Sequence, residues 1–252
     1  MACCLLLTDP APPDVERLKR AFRSLKSRTE ADAVKLARDA SGILVRNLSV
    51  EEAQVLRGAL AAEQVPVAVV DTAQLPALPA PKAIRRAELQ AEALAIYDLL
   101  GRAVPVAYGE IVLLAAGVVR RLGLTTRRTE QKTLTYAPIR GIHTKKVTDV
   151  RHQVEDLTDI RLDLVLRGAA TRYQIDASTF LFKHCFDRPE LDSTGKLALL
   201  VQLLAERAPQ ATLNRGATAL REGQPAGAAY VSKAALDDES IWHLWRLPGS
   251  IR

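Results

Sequence analysis

The chain has 252 residues, 48% apolar and 25% charged, with 13 glycines and 13 prolines, which excludes disordered, collagen-like and proline-rich classes. Lysine and arginine number 35 against 29 acidic residues, a formal net charge of +6. The longest apolar run, residues 111–119, falls well short of the roughly 20 residues that span a bilayer as a helix, so no membrane span is expected.

In chain order, residues 2–7 read as a short buried strand that stops at the turn signal Thr8-Asp9-Pro10. From Asp14 the apolar positions Val15, Leu18, Phe22 and Leu25 recur at helical spacing. A second short helix is expected with Ala33, Leu36, Ala37 and Ala40 on one face, ended by Gly42. Ile43-Leu44-Val45 reads as a strand. Ser49-Val50-Glu51-Glu52 is a capping box that opens a helix through Ala62, and residues 65–70 close the segment as a strand. The order is β-α-α-β-α-β over residues 1–72.

That order resembles the C-terminal domain of the bacterial ribosomal stalk protein L7/L12. The likeness lies in Phe22-Arg23, in Asp32-Ala33 followed by Leu36-Ala37, and best in Leu48-Ser49-Val50-Glu51-Glu52-Ala53 with Leu56, Ala59-Leu60 and residues 65–69. The resemblance implies the fold. The family's glycine-containing turn between the first two helices, which docks translational GTPases, is replaced by Lys26-Ser27-Arg28-Thr29, so it does not imply that docking surface. The sequence also offers no stalk-type dimerisation segment or hinge, so membership of the stalk proteins themselves is not expected.

Residues 73–83 place prolines at 76, 79 and 81 and read as a stiff linker, since proline fixes φ and removes a donor. Beyond it, 84–215 is expected to be an antiparallel β-rich domain closed by one helix, with an overall α+β class for the chain. Its strands are read at 91–97, 104–106 and 111–119, and as a hairpin of 160–166 with 171–176 turned at Gly168-Ala169-Ala170. The closing helix is capped by Asp192, Ser193 or Thr194, carries Leu197, Leu200, Val201 and Leu204, and stops at Pro209. This element order resembles a pleckstrin-homology-like barrel. Residues 216–252 are read as a C-terminal tail, whose Trp242 and Trp245 either dock back on a domain or anchor a partner groove.

Catalytic chemistry finds few carriers, and a non-catalytic protein is expected, with no catalytic residue, cofactor or metal site assigned. Gly195-Lys196 lacks the opening glycine of a phosphate loop, and the serines lack a nucleophile elbow. Cys3, Cys4 and Cys185 form no C-x-x-C pair. Neither a disulfide framework nor a signal peptide is expected, and the location is read as cytoplasmic. His184-Cys185 are neighbours that regular structure would point apart.

Charge is more informative. Residues 120–146 carry Arg120, Arg121, Arg127, Arg128, Lys132, Arg140, Lys145 and Lys146 against Glu130 alone, a local charge of +7. This stretch reads as a long mobile basic insertion: a solvated loop, a polyanion-binding segment or, with less apolar support, a membrane-surface contact. Lys19, Arg23 and Lys26, at i, i+4 and i+7 of the first helix, form a candidate docking face for a protein partner of unknown identity. The expected function is a protein-interaction or adaptor module. The alternative is a nucleic-acid-binding protein using the basic insertion 120–146.

Overall fold

The computed structural model describes residues 2–9, 11, 13–25, 34, 42–98, 100–137 and 141–247, with the backbone alone over the strands of 120–157. The chain mixes helices and strands in the α+β manner and divides into two compact units, 1–119 with 159–252, and 120–158. The boundary expected at 73–83 therefore falls inside the first unit.

The first sheet is built from β1 (Cys3–Leu7), β2 (Ile43–Leu48) and β3 (Val67–Asp71) in the order β2-β1-β3, with β1 antiparallel to both neighbours. All five residues of β1 are buried, so both faces of this central strand are covered. Helix α1 (Val15–Phe22) starts where the Asp14 carboxylate accepts the amides of Glu16 and Arg17. It inserts Leu18, Ala21 and Phe22 into the core. Helix α2 (Val50–Ala62) opens with the expected capping box, the Ser49 and Glu52 side chains each accepting the other's amide. It buries Ala53, Leu56 and Leu60. Ala33, Leu36, Ala37 and Ala40 of the expected second helix lie outside the described residues.

The proline stretch is ordered at both ends. Asp71 caps a 3-10 turn over Thr72–Gln74, and Pro81 begins strand β4 (Pro81–Ile84). Sheet pairing at a proline runs against the linker reading, and the strand's position explains it. β4 is at the sheet edge and Pro81 is its first residue, where the missing N–H costs least. Next come β5 (Ala87–Leu89), β6 (Ala93–Tyr97) and β7 (Ala103–Ala107), an antiparallel three-stranded sheet.

Strand β8 (Ile111–Ala137) and strand β9 (Gly141–Leu166) are neighbours in a six-stranded sheet. Its other members are β10 (Arg172–Asp176), β11 (Thr212–Leu213), β12 (Ala229–Tyr230) and β4. The hairpin of β9 with β10 is antiparallel as expected, Val165 opposite Arg172. The sheet is mixed rather than antiparallel, because the short strands β4, β11 and β12 come from distant segments and join in parallel. The expected mobile insertion is also corrected: 120–137 and 141–158 are strand. Its threonines at 125, 126, 129, 133, 135, 144, 148 and 158 are β-branched and suit an extended chain.

Helix α3 (Ser193–Arg207), capped by Asp192, buries Leu197, Leu200, Val201 and Leu204 against this sheet as expected. One closing helix is too few. The stretch read as a tail contains most of α4 (Arg215–Arg221), all of β12, and α5 (Lys233–Arg246), whose N-cap Ser232 accepts the amide of Ala235. Trp242 docks back: it is buried in the core of residues 3–70, and its indole N–H donates to the Leu7 carbonyl at 2.7 Å. Gly42 sits beside it at φ 74°, where an added Cβ would lie 2.4 Å from the indole ring.

Trp242→Ala is expected to cost about 3–5 kcal/mol. Urea unfolding followed by far-ultraviolet circular dichroism should show the whole transition shifted, because the residue lies in a shared core. A loss below about 1 kcal/mol would mean that the cavity is not the one described.

Candidate functional site

The chain leaves β4 at Ile84, passes through Arg85 and Arg86, and enters β5 at Ala87, crossing from the six-stranded sheet to the three-stranded one. A cleft of 610 Å3 opens at this crossing, lined by Lys82, Arg85, Arg86, Tyr97, Val104 and Tyr173, with the buried Ile84 and Ile96 behind them. Arg86 is half-buried, and its charge is paired through Nη2 while its Nε has no hydrogen-bond partner among the described residues. Its guanidinium lies 4.0 Å over the Tyr97 ring and donates to Glu88 Oε1 at 2.6 Å. The Tyr97 hydroxyl donates to Glu88 Oε2 at 2.8 Å, and these two bonds hold the Glu88 carboxyl below its usual range.

Asp98, also in the lining, is neutralised locally. It accepts the Leu100 and Arg102 amides at 2.9 Å and the Arg102 Nε at 2.7 Å. Lys82 and Arg85 are exposed and have no ion-pair partner among the described residues. The cleft thus sets two uncompensated cations beside an apolar wall.

The residues proposed from sequence lie elsewhere. Lys19 forms an exposed i,i+3 ion pair with Glu16 at 2.6 Å. Arg23, one turn on, forms the C-cap of α1 and has an interaction of its own, and Lys26 lies outside the described residues. Arg120, Arg121, Arg127, Arg128 and Lys132 fall in β8, and Lys145 and Lys146 in β9, while Arg140 lies outside the described residues. The strands bring seven of the eight into one compact unit, apart from the α1 pair.

The buried polar groups are organised around α5. The Asn214 side chain accepts the amides of Ala116 and Ala217 and donates to the Ala116 carbonyl and the Tyr230 hydroxyl. That hydroxyl donates to Glu239 Oε2 at 2.6 Å, and the Arg215 amide donates to Glu239 Oε1 at 2.8 Å. Burial pushes the Glu239 carboxyl up, but His243 at 3.7 Å, the Tyr230 hydroxyl and the Arg215 amide outweigh it and hold the group below its usual range. Tyr230 moves the other way, raised first by burial and then by the Glu239 charge. A second cluster joins α5 to the sheet. Arg172, itself buried, donates to Asp163 of β9 and, at 2.6 Å, to Asp237 of α5, while Gln174 donates to Asp163 at 2.8 Å.

Arg161, on the same face of β9 as Asp163, is 8% exposed, and its Nε and Nη2 have no hydrogen-bond partner among the described residues. The neighbours His184 and Cys185 do not make a nucleophile pair. Cys185 donates to the Ala87 carbonyl at 3.2 Å, and burial pushes its thiol up to about 12. Among the described residues no group of three or more His, Cys, Asp or Glu is placed to hold a metal ion, and no helix is long and apolar enough to cross a membrane.

No family model matches the chain, and neither the curated proteins nor the solved structures contain a significant match to it.

The depressed Glu239 group stabilises the fold above its unfolded pKa of about 4.3, and that contribution is lost as pH falls through the folded value. Glu239→Gln should cost about 1–3 kcal/mol at pH 7 and flatten the loss of thermal stability below about pH 4.3. An unchanged pH profile would assign the acid sensitivity to other carboxylates. Arg161→Met should raise stability by about 1–3 kcal/mol in urea unfolding, because it removes two buried donors, Nε and Nη2, that have no hydrogen-bond partner among the described residues. A net loss would mean that the guanidinium is compensated.

Proposed function

We propose that the protein is a non-catalytic binding module of the cytoplasm whose 120–158 unit engages a polyanion, with nucleic acid as the class. The observation that supports this reading is the strand character of the basic segment. Nine cations against four acidic residues are distributed over 120–158, and 120–137 and 141–158 lie in the neighbouring strands β8 and β9. A two-stranded ribbon fits the major groove of duplex DNA, and arginine and lysine on it neutralise phosphates. The single aromatic of the stretch, Tyr136, offers no repeated stacking platform, which favours backbone contact over reading of single-stranded bases.

The adaptor reading, with docking through Lys19, Arg23 and Lys26, has less behind it, because Lys19 and Arg23 both have interactions within the chain. In the same proposal residues 1–72 are similar to the stalk-protein C-terminal domain, supported by the capped α2 and the sheet order β2-β1-β3. The pleckstrin-homology likeness of 84–215 is weaker, since three of the strands join in parallel.

Fluorescence anisotropy with a labelled duplex at several salt concentrations tests the polyanion reading. With about half the cations engaged, log K against log salt should have a slope of about −3 to −5. Replacing Arg127, Arg128, Lys145 and Lys146 with alanine should flatten the slope and weaken binding equally for unrelated sequences. Absence of salt-sensitive binding near micromolar protein, or binding indifferent to the four substitutions, would overturn it.

A further inference from the structure

We infer that the cleft at the β4–β5 crossing binds a small organic anion with a flat apolar body. The inference is independent of the polyanion reading, because every residue of the cleft belongs to the first compact unit and none to 120–158. The volume of 610 Å3 lies within the roughly 300–1,000 Å3 typical of small-molecule sites. Those sites combine an apolar lining with a few placed polar groups, and this cleft has that composition. Ile84, Ile96, Val104 and the Tyr173 ring provide apolar surface for the body of the ligand.

The charge at the cleft sets the sign of the ligand. Asp98 and Glu88 are each satisfied by arginine, Asp98 by Arg102 and Glu88 by Arg86. That pairing leaves Lys82 and Arg85 as the uncompensated groups, and their positive charge matches one carboxylate, phosphate or sulfonate head. The backbone at both cations is fixed. Lys82 is registered opposite Tyr173 in the parallel pairing of β4 with β10, and the Arg85 carbonyl accepts the Leu181 amide at 2.8 Å. Arg86, stacked on Tyr97 and bonded to Glu88, stiffens the wall rather than offering a free charge. A long acidic chain would need a basic track, and two cations over an apolar pocket suit a compact ligand instead.

Isothermal titration calorimetry of the full chain with 1-naphthyl phosphate tests the inference, with inorganic phosphate and 1-naphthol as the head and the body alone. One-to-one binding of 1-naphthyl phosphate is expected, with each part alone weaker by about tenfold or more. The Lys82→Ala/Arg85→Ala variant should lose about tenfold in affinity, since both side chains are exposed and their removal leaves the core intact. Val104→Trp, which fills the cleft and keeps both cations, should lose binding as well. The alanine variant of Arg127, Arg128, Lys145 and Lys146 should bind 1-naphthyl phosphate like the parent, which separates this site from the polyanion reading. No binding at about millimolar ligand, naphthol binding as tightly as the phosphate ester, or affinity unmoved by both cleft variants would each overturn the inference.

Discussion

Helix α5 packs on two sides. Trp242 fills the core beneath β1 and donates to Leu7, a residue 235 positions earlier in the chain. Leu236 packs with Val119 and Tyr230, and Leu244 with Leu113, Ala115 and Val165, on the sheet of β8 and β9. Removing the helix would leave both sheets with an uncovered apolar face, so the first unit depends on this one segment from near the end of the sequence. Closing so long a loop is not expensive in itself, because the entropy cost rises by only about 0.6 kcal/mol for each doubling of length. It does make the fold rich in non-local contacts, the condition under which folding is slow.

A helix buried on two sides has to pair its polar residues, and α5 does so along its length. Asp237, Asp238 and Glu239 are consecutive in the chain and project in three directions. Asp237 meets Arg172 of β10, Asp238 meets Arg46 of β2 at 2.7 Å, and Glu239 meets Tyr230 and the Arg215 amide. Ser240 returns its hydroxyl to the Leu236 carbonyl. Breaking one such pair inside the protein leaves a charge without compensation, which makes the arrangement specific even where its net contribution is small. The same economy leaves little titratable chemistry free in the core and directs attention to the rim cations of the cleft and to the basic strands.

The cleft and the basic strands illustrate two kinds of legibility. Arg120 to Lys146 stand out in the sequence because their charge is contiguous, but their conformation is strand rather than loop. Charge density suggests a loop, whereas the interleaved threonines carry the opposing β preference. The cleft left no trace of that sort. Lys82, Arg85, Tyr97, Val104 and Tyr173 come from four strands and a connection, and nothing in their spacing joins them before β4 pairs with β10. Lys19 shows the converse: its helical spacing is plain in the sequence, but its pairing with Glu16 three residues earlier appears only in the structure.

By itself the sequence determined whatever depends on near neighbours. The capping box at Ser49 and Glu52, the apolar stripes of α1 and α3, the β9–β10 hairpin and the burial of β1 follow from local hydrogen bonding and periodicity. Tertiary structure alone decided the role of residues 216–252. An acidic run followed by two tryptophans resembles a solvated tail until Arg46, Arg172 and the core under β1 are brought to it. It also decided that Pro81 could join a sheet, because only the edge position of β4 makes a missing amide tolerable. The physical reason is the same in both cases: a charged or donor-less residue takes its meaning from the partner opposite it, and that partner is set by the fold.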